Sequence, residues 1–276
     1  MINKEIKQKL ARNWFKLLQD VICNDIEIIE NNKIKFKTKV WNRNKIKDEG
    51  GGEFRILKNG KVFEKVGVNF SEVQGKFSNT MKKNIPGANK NPNFWASGIS
   101  VVMHMNNPHI PAIHFNTRFI YTSHGWFGGG MDVTPTIEDD KEKKLLHNEL
   151  KKMCNRHNKN YYKKYKKWCD EYFYLPHRNE TRGIGGIFFD YKKDNWEKDF
   201  KFICDLGVTF KKIFNLIIDK KYKKKWTIKE KELQYIKRGR YAEFNLLYDR
   251  GTKFGIQTDG NIEAILMSMP PLAKWK

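Results

Sequence analysis

Apolar residues recur at helical spacing near the start of the chain, at Ile6, Leu10, Trp14, Leu17, Leu18 and Val21. That spacing predicts an amphipathic helix over residues 3 to 22 with this stripe turned inward. The period then shortens. Phe54-Arg-Ile-Leu and Val62-Phe-Glu-Lys-Val flank Asn59-Gly60, a pair that supplies the positive φ of a tight hairpin turn. Residues 99 to 105 and 113 to 123 read as two further strands joined by Asn106-Asn-Pro-His-Ile-Pro, and an antiparallel pair is expected. From about 138 to 170 the period is helical again through Leu145, Leu146, Leu150, Met153, Tyr161, Tyr165 and Trp168, with a break near Asn158. Trp196, Phe200, Ile203, Phe210, Phe214 and Ile217 mark another helix over about 195 to 218. In the last third, Ala242 to Tyr248, Phe254 to Gln257 and Ile262 to Met267 read as strands separated by Asp-Arg-Gly and Asp-Gly turns. Strands with short turns, plus helices in blocks, give an α+β fold: one large, mainly antiparallel sheet flanked by helices.

Length and composition narrow this to one domain over residues 1 to 276, since no Pro- or Ser-rich linker and no internal repeat divides the chain. The formal charge of +23 raises nucleic acid, anionic membrane or an acidic ligand as partners. Much of the excess lies in short Lys runs, Lys163 to Lys167 and Lys220 to Lys225, which read as solvated helix faces; what remains is a positive field that speeds the approach of anions. Cysteines 23, 154, 169 and 204 form no C-x-x-C pair, and the ligand-like spacing of Cys154 and His157 has no second pair to answer it. The start lacks the apolar stretch of a signal peptide, and no apolar run nears the ~20 residues of a membrane span. A cytoplasmic protein with no integral membrane contact is expected.

Candidate chemistry gathers on the two central strands. Alternation sends Ser100, Val102 and His104 to one side of the first, and His114, Asn116 and Arg118 to one side of the second. On so lysine-rich a chain, a merely solvated face would carry Lys and Glu, so this set reads as a binding face, with an ordinary polar sheet surface as the alternative. Trp126-Phe-Gly-Gly-Gly-Met-Asp132 follows, where three glycines permit close backbone approach. It is no dinucleotide fingerprint. Gly50-Gly-Gly reads as a loop. His177-Arg-Asn-Glu-Thr-Arg182-Gly-Ile-Gly-Gly runs into the apolar strand Ile187 to Tyr191, and Arg178 or Arg182 either clamps a carboxylate or pairs with Glu180. Glu243, Asn245 and Asp249 are expected on one face of a late strand. Together these groups suggest a pocket for a polyanionic small molecule.

Six stretches in order carry a resemblance: Val62-Phe-Glu-Lys-Val-Gly-Val-Asn-Phe-Ser71, Trp126-Phe-Gly-Gly-Gly-Met-Asp-Val-Thr-Pro135, Lys166-Lys-Trp-Cys-Asp-Glu-Tyr-Phe-Tyr174, His177 to Gly186, Arg238-Gly-Arg-Tyr-Ala-Glu-Phe-Asn245 and Ile265-Leu-Met-Ser-Met-Pro-Pro271. Over nearly the whole chain the sequence resembles the oxygen-dependent coproporphyrinogen III oxidases. The resemblance implies a homodimer, with residues from about 241 to 276 at the contact. It also implies oxidative decarboxylation of two propionates of coproporphyrinogen III to vinyl groups, giving protoporphyrinogen IX, carbon dioxide and water in haem biosynthesis. Molecular oxygen is then the co-substrate, with no organic cofactor. By resemblance His114 is the proton donor and Asp132 a further active-site position; the mechanism expected here has Asp132 catalytic, accepting hydrogen bonds from the pyrrole N–H groups. Ser100, Asn116, Thr117, Arg118 and Arg182 match substrate positions, as do Asp259, Gly260 and Asn261, where an acid replaces part of a Gly-Gly-Arg-like loop. His104, His114, His147 and His177 match positions assigned to a metal in bacterial relatives, which leaves a divalent ion such as manganese open. The family is also expected to continue some twenty residues beyond Pro-Pro-Leu into a terminal helix. A basic nucleic-acid-binding protein and an inactive structural relative stand as the alternatives; no nucleic-acid reader motif is present.

Overall fold

A computed structural model describes residues 2–276 apart from residues 45, 80, 84, 258 and 259. The chain opens with helix α1 (Lys4–Ile29), capped by the Asn3 side chain, which accepts the Ile6 N–H. The helix forms as the spacing predicts, but its buried stripe is Ala11, Phe15, Leu18, Ile22 and Ile26, while Ile6, Leu10 and Leu17 are exposed. The inward face is rotated from the predicted one because it also takes a polar residue: buried Gln19 donates to the carbonyls of Glu53 and Val68.

Seven strands follow in one antiparallel sheet: β1 (Lys37–Asn42), β2 (Gly50–Lys58), β3 (Phe63–Lys76), β4 (Asn93–Met105), β5 (Ala112–Tyr121), β6 (Gly125–Thr134) and, at the far edge, β9 (Gly185–Lys192). Gly50, Gly51 and Gly52 lie within β2, so the predicted loop there is strand. Between β6 and β9 come α2 (Asp140–His157), α3 (Tyr161–Tyr172) and a short ribbon of β7 (Tyr174–Leu175) and β8 (Glu180–Thr181); α2 ends one residue before Asn158, where the break is expected. Helix α4 (Trp196–Lys221) follows β9.

Alternation divides the sheet into two faces. Val66, Val68, Val101, Met103, Ile113, Phe115, Phe119, Met131, Val133, Ile187 and Phe189 join the core that also takes in α1, α2 and α4. Phe115 stacks on Phe210 of α4 at 4.5 Å between centroids. Each such fully buried ring is worth roughly 1.5–3 kcal/mol by area. Helix α3 runs along β9 and puts Tyr165 on Phe189 and Tyr172 on Phe188, so residues on both faces of this edge strand are covered.

The last third corrects the sequence reading. Instead of strands, the chain forms α5 (Ile228–Leu247), α6 (Arg250–Gln257) and α7 (Ile262–Leu266). Thr227 and Glu230 make a capping box at the start of α5, a signal that the strand reading passed over. The inward stripe of α5 includes Gln234, Arg238, Tyr241 and Asn245, so its helical period is written largely in polar residues and escapes a search for apolar ones. These helices lie on the sheet's second face: Met267 covers Gly67, and Ala264 and Met267 pack on Phe54.

The hairpin between β2 and β3 is tied to α1. Glu30, at the helix C-cap, accepts the backbone N–H groups of Lys61, Val62 and Phe63 at 2.8, 2.9 and 2.7 Å. A Cβ at Gly60 would lie 2.3 Å from the Glu30 carboxylate, so glycine is required for the approach. Glu30→Ala, which strands buried donors, is expected to lower unfolding free energy by about 3 kcal/mol in urea titrations, and Glu30→Gln by less.

Candidate active site

The second face of the sheet carries the polar residues picked out above. Register sets Gly98 opposite Arg118, Ser100 opposite Asn116 and Val102 opposite His114, and on the other side sets Arg118, Asn116 and His114 against Gly128, Gly130 and Asp132. Gly186 of β9 completes the row beside Asp132, and Asn69 of β3 lies beside Ser100. The result is a floor of polar side chains with glycine gaps. Gly128 shows why: a Cβ there would lie 2.4 Å from Asp190 Oδ1 and 2.9 Å from Arg118 Nη2, where those two side chains meet.

A connected set of hydrogen bonds crosses this floor. His114 Nδ1 meets Asp132 Oδ1 at 2.7 Å, and Asn116 Nδ2 meets His114 Nε2 at 3.2 Å. Arg118 donates to Asn116 Oδ1 at 3.3 Å and to Asp190 Oδ2 at 2.7 Å. A carboxylate only accepts, so the neutral ring carries its proton on Nδ1 and keeps a lone pair on Nε2, which the Asn116 amide serves. Asp132 thereby sets the tautomer of His114.

Behind His114 lies a buried ion pair. Asp132 and Arg182 are 2% and 5% exposed; Arg182 Nη2 donates to Asp132 Oδ2, and Nη1 donates to Asn245 Oδ1 at 3.0 Å. The guanidinium carbon lies 4.1 Å from the Phe173 ring centre, 4.5 Å from Tyr241 and 4.7 Å from Phe244. Burial opposes ionisation of Asp132, but the Arg182 charge and the His114 hydrogen bond outweigh it and hold the carboxyl below the usual aspartate range. Arg182 pairs with neither a free carboxylate nor Glu180, which goes to Arg240. Both oxygens of Asp132 have a partner in the protein, His114 on one and Arg182 on the other, and the group is buried.

The other expected residues divide. Ser100, Asn116 and Arg118 share the floor, whereas Thr117 alternates to the core face between Phe115 and Phe119. Asp259 lies outside the described residues. Gly260 bonds back to Gly255, and the Asn261 side chain caps α7 by accepting the Ala264 N–H at 2.9 Å. Glu243, Asn245 and Asp249 lie on or just past α5 and diverge, toward Arg178, Arg182 and Tyr172 respectively.

The four histidines do not converge. His104 Nε2 meets the Ser268 carbonyl at 2.9 Å and His147 Nε2 meets the Ile184 carbonyl at 2.9 Å, while His177 lies between Glu243 and Tyr248 at 2.8 Å from each. Among the described residues no three or more His, Cys, Asp or Glu side chains are grouped to hold a metal. As arranged, the four do not fit a shared metal shell. Two contributors escaped the sequence reading, Asn69 and Asp190. The Val-Gly-Val-Asn alternation of β3 carries a signal for the first.

Glu243 ties the rim together. It accepts from His177, from Arg178 twice, from Arg240 and from Trp275 Nε1. The Arg178 hydrogen bonds, against some burial and with help from His177 and Trp275, hold its carboxyl down at about 2. The lowered value means that this clamp is fully formed above the ordinary glutamate pKa and is lost as pH falls from about 4.5 toward 2. Acid unfolding of Glu243→Gln is expected to show a shallower slope than the parent across that window.

Comparison with known proteins identifies the family. The family described as Coproporphyrinogen III oxidase matches residues 10–276. An oxygen-dependent coproporphyrinogen-III oxidase of Rickettsia bellii (strain RML369-C) is 48% identical over 283 residues, covering 99% of this chain and 100% of that protein. Those of Rickettsia akari (strain Hartford) and Rickettsia rickettsii (strain Sheila Smith) are each 49% identical over 282 residues, covering 99% of this chain and 98% of theirs. The expected continuation beyond Pro-Pro-Leu is therefore no feature of the Rickettsia bellii protein, which the match covers throughout. With identity near one half over almost the full length, and the polar floor built from the residues that the resemblance singled out, the chain belongs to the coproporphyrinogen III oxidase family.

Proposed function

We propose that the protein converts coproporphyrinogen III to protoporphyrinogen IX with molecular oxygen. Family membership supplies the reaction class, and the observation that carries the reading to these residues is the tautomer-fixed His114 on a glycine-gapped polar floor. Each of two propionates loses carbon dioxide, two electrons and one proton to become a vinyl group. One dioxygen accepts the four electrons with four protons and leaves as two waters, so two protons are taken up overall. When substrate takes the place of the Asn116 amide, the Nε2 lone pair of His114 accepts a proton from the reacting side chain, so the histidine enters as a base and can donate, as the resemblance expects, only after that step; Asp132 balances the imidazolium that forms. Ser100 and Asn116 border the macrocycle. Arg118, whose side chain is one-third exposed, directs its remaining donors to a propionate.

The test is anaerobic incubation with coproporphyrinogen III followed by admission of air, reading protoporphyrin fluorescence after oxidation. Turnover is expected in chelator-treated protein; activity that returned only with manganese would overturn the account of the histidines, and no turnover in either condition would overturn the function. Arg118→Leu is expected to raise KM about 10-fold or more, as the loss of one charge-assisted hydrogen bond requires, with a smaller effect on kcat.

Two coarser points extend the reading. No helix among the described residues is long and apolar enough to cross a membrane, and a cytoplasmic location is part of the proposal. Homodimerisation through the C-terminal helices is supported by exposed Leu246, Ile262, Leu272 and Trp275, and sedimentation checks it.

A further inference from the structure

Behind the site, five of the side chains that wall one small cavity carry a buried polar atom without a hydrogen-bond partner among the described residues. The cavity has a volume of about 20 Å³, and His104, Thr134, Gln234, Arg238 and Tyr241 are among its walls. His104 Nδ1, Thr134 Oγ1, Gln234 Oε1 and Arg238 Nη1 are buried and have no hydrogen-bond partner among the described residues; Tyr241 Oη is a fifth such wall atom, set apart from the others by its interaction with the Asn245 side chain. The residues that carry the first four are 1%, 7%, 4% and 4% exposed. One stranded polar atom in an interior is costly, and four beside the Asn245-linked Tyr241 hydroxyl call for a partner between them.

The other atoms of the same side chains fix what each can offer. His104 Nε2 meets the Ser268 carbonyl, so it carries the ring proton and Nδ1 is an acceptor. Gln234 Nε2 donates to the Met105 carbonyl at 3.0 Å, which turns Oε1 out as a second acceptor. Arg238 Nη2 is used by Glu64 and the Met105 carbonyl, so Nη1 is a free cationic donor. The Thr134 hydroxyl rotates to suit.

We propose that this cavity holds one ordered water molecule, which donates to His104 Nδ1 and Gln234 Oε1 and accepts from Arg238 Nη1 and the Thr134 hydroxyl. Two acceptors and two donors are the complement of a single water. An anion would face two lone pairs, a cation would face the Arg238 charge, and dioxygen has no hydrogen to give. The volume agrees, since one water needs about 10–15 Å³ on this measure. The water bridges β4, β6 and α5, and His104 extends the bridge to the Ser268 turn. Both nitrogens of His104 are then spent, which makes this histidine a bolt between the sheet and the C-terminal helices.

A high-resolution crystal structure tests this directly. The expected result is one peak about 2.7–3.2 Å from all four atoms, unchanged and without anomalous signal in crystals soaked in bromide or in manganese chloride. A bromide or manganese peak at that point would overturn the proposal, as would a cavity without density. Thr134→Val keeps the side-chain shape and removes one arm of the bridge. It is expected to lower the unfolding midpoint by about 2–4 °C and to leave KM for coproporphyrinogen III unchanged. An unchanged midpoint would count against the bridge.

Discussion

His114→Gln is expected to lower turnover of coproporphyrinogen III by about 10²- to 10⁴-fold, the range over which a positioned acid–base group acts. Stability should hardly change. The His114 side chain is partly accessible, and a glutamine amide can still donate to Asp132, so the buried carboxylate keeps its hydrogen bond. Single-turnover rates beside thermal melts separate the two effects. A variant within a factor of three of the parent would remove His114 from proton handling.

The second large effect is on stability. Asp132→Ala leaves the Arg182 guanidinium buried among Phe173, Tyr241 and Phe244 with no counter-ion, and Arg182→Ala strands the Asp132 charge in the same way. Breaking a buried pair from either side costs about 3–5 kcal/mol. The double variant loses the charges together and is expected to cost well under the sum of the singles. Urea titrations of the four proteins give the coupling directly, and additive losses would show that the pair does not act as a unit. Asp132→Asn should also lose activity out of proportion to stability, because the amide no longer dictates which nitrogen of His114 carries the proton.

The sheet and its active face were legible in the sequence for the same reason: strand alternation is strict. From Ser100 and Val102 on β4, and His114, Asn116 and Arg118 on β5, register alone brings the polar set together. The same rule, applied to the end, would have placed the Thr117 side chain on the opposite face, since it sits between Phe115 and Phe119 in the alternation. The C-terminal helices were not legible because α5 turns Gln234, Arg238, Tyr241 and Asn245 inward and leaves Leu246 and Leu247 exposed, the reverse of what a hydrophobic period reports. The role of Arg182 was hidden too. An arginine among aromatics and glycines reads as an anion clamp, and only its burial against Asp132 reveals a support.

The floor of the site and its cover differ in how far along the chain their contacts reach. Six of the seven strands pair in sequence order, so the floor grows by adding neighbours. The cover is joined by His104 to Ser268 and by Lys65 to Met269, across 164 and 204 residues. The floor is therefore built from local pairings and the cover from contacts of long sequence separation, so loop-closure entropy falls almost wholly on docking the cover, and slowing of folding by substitutions is expected to be greatest at those docking contacts.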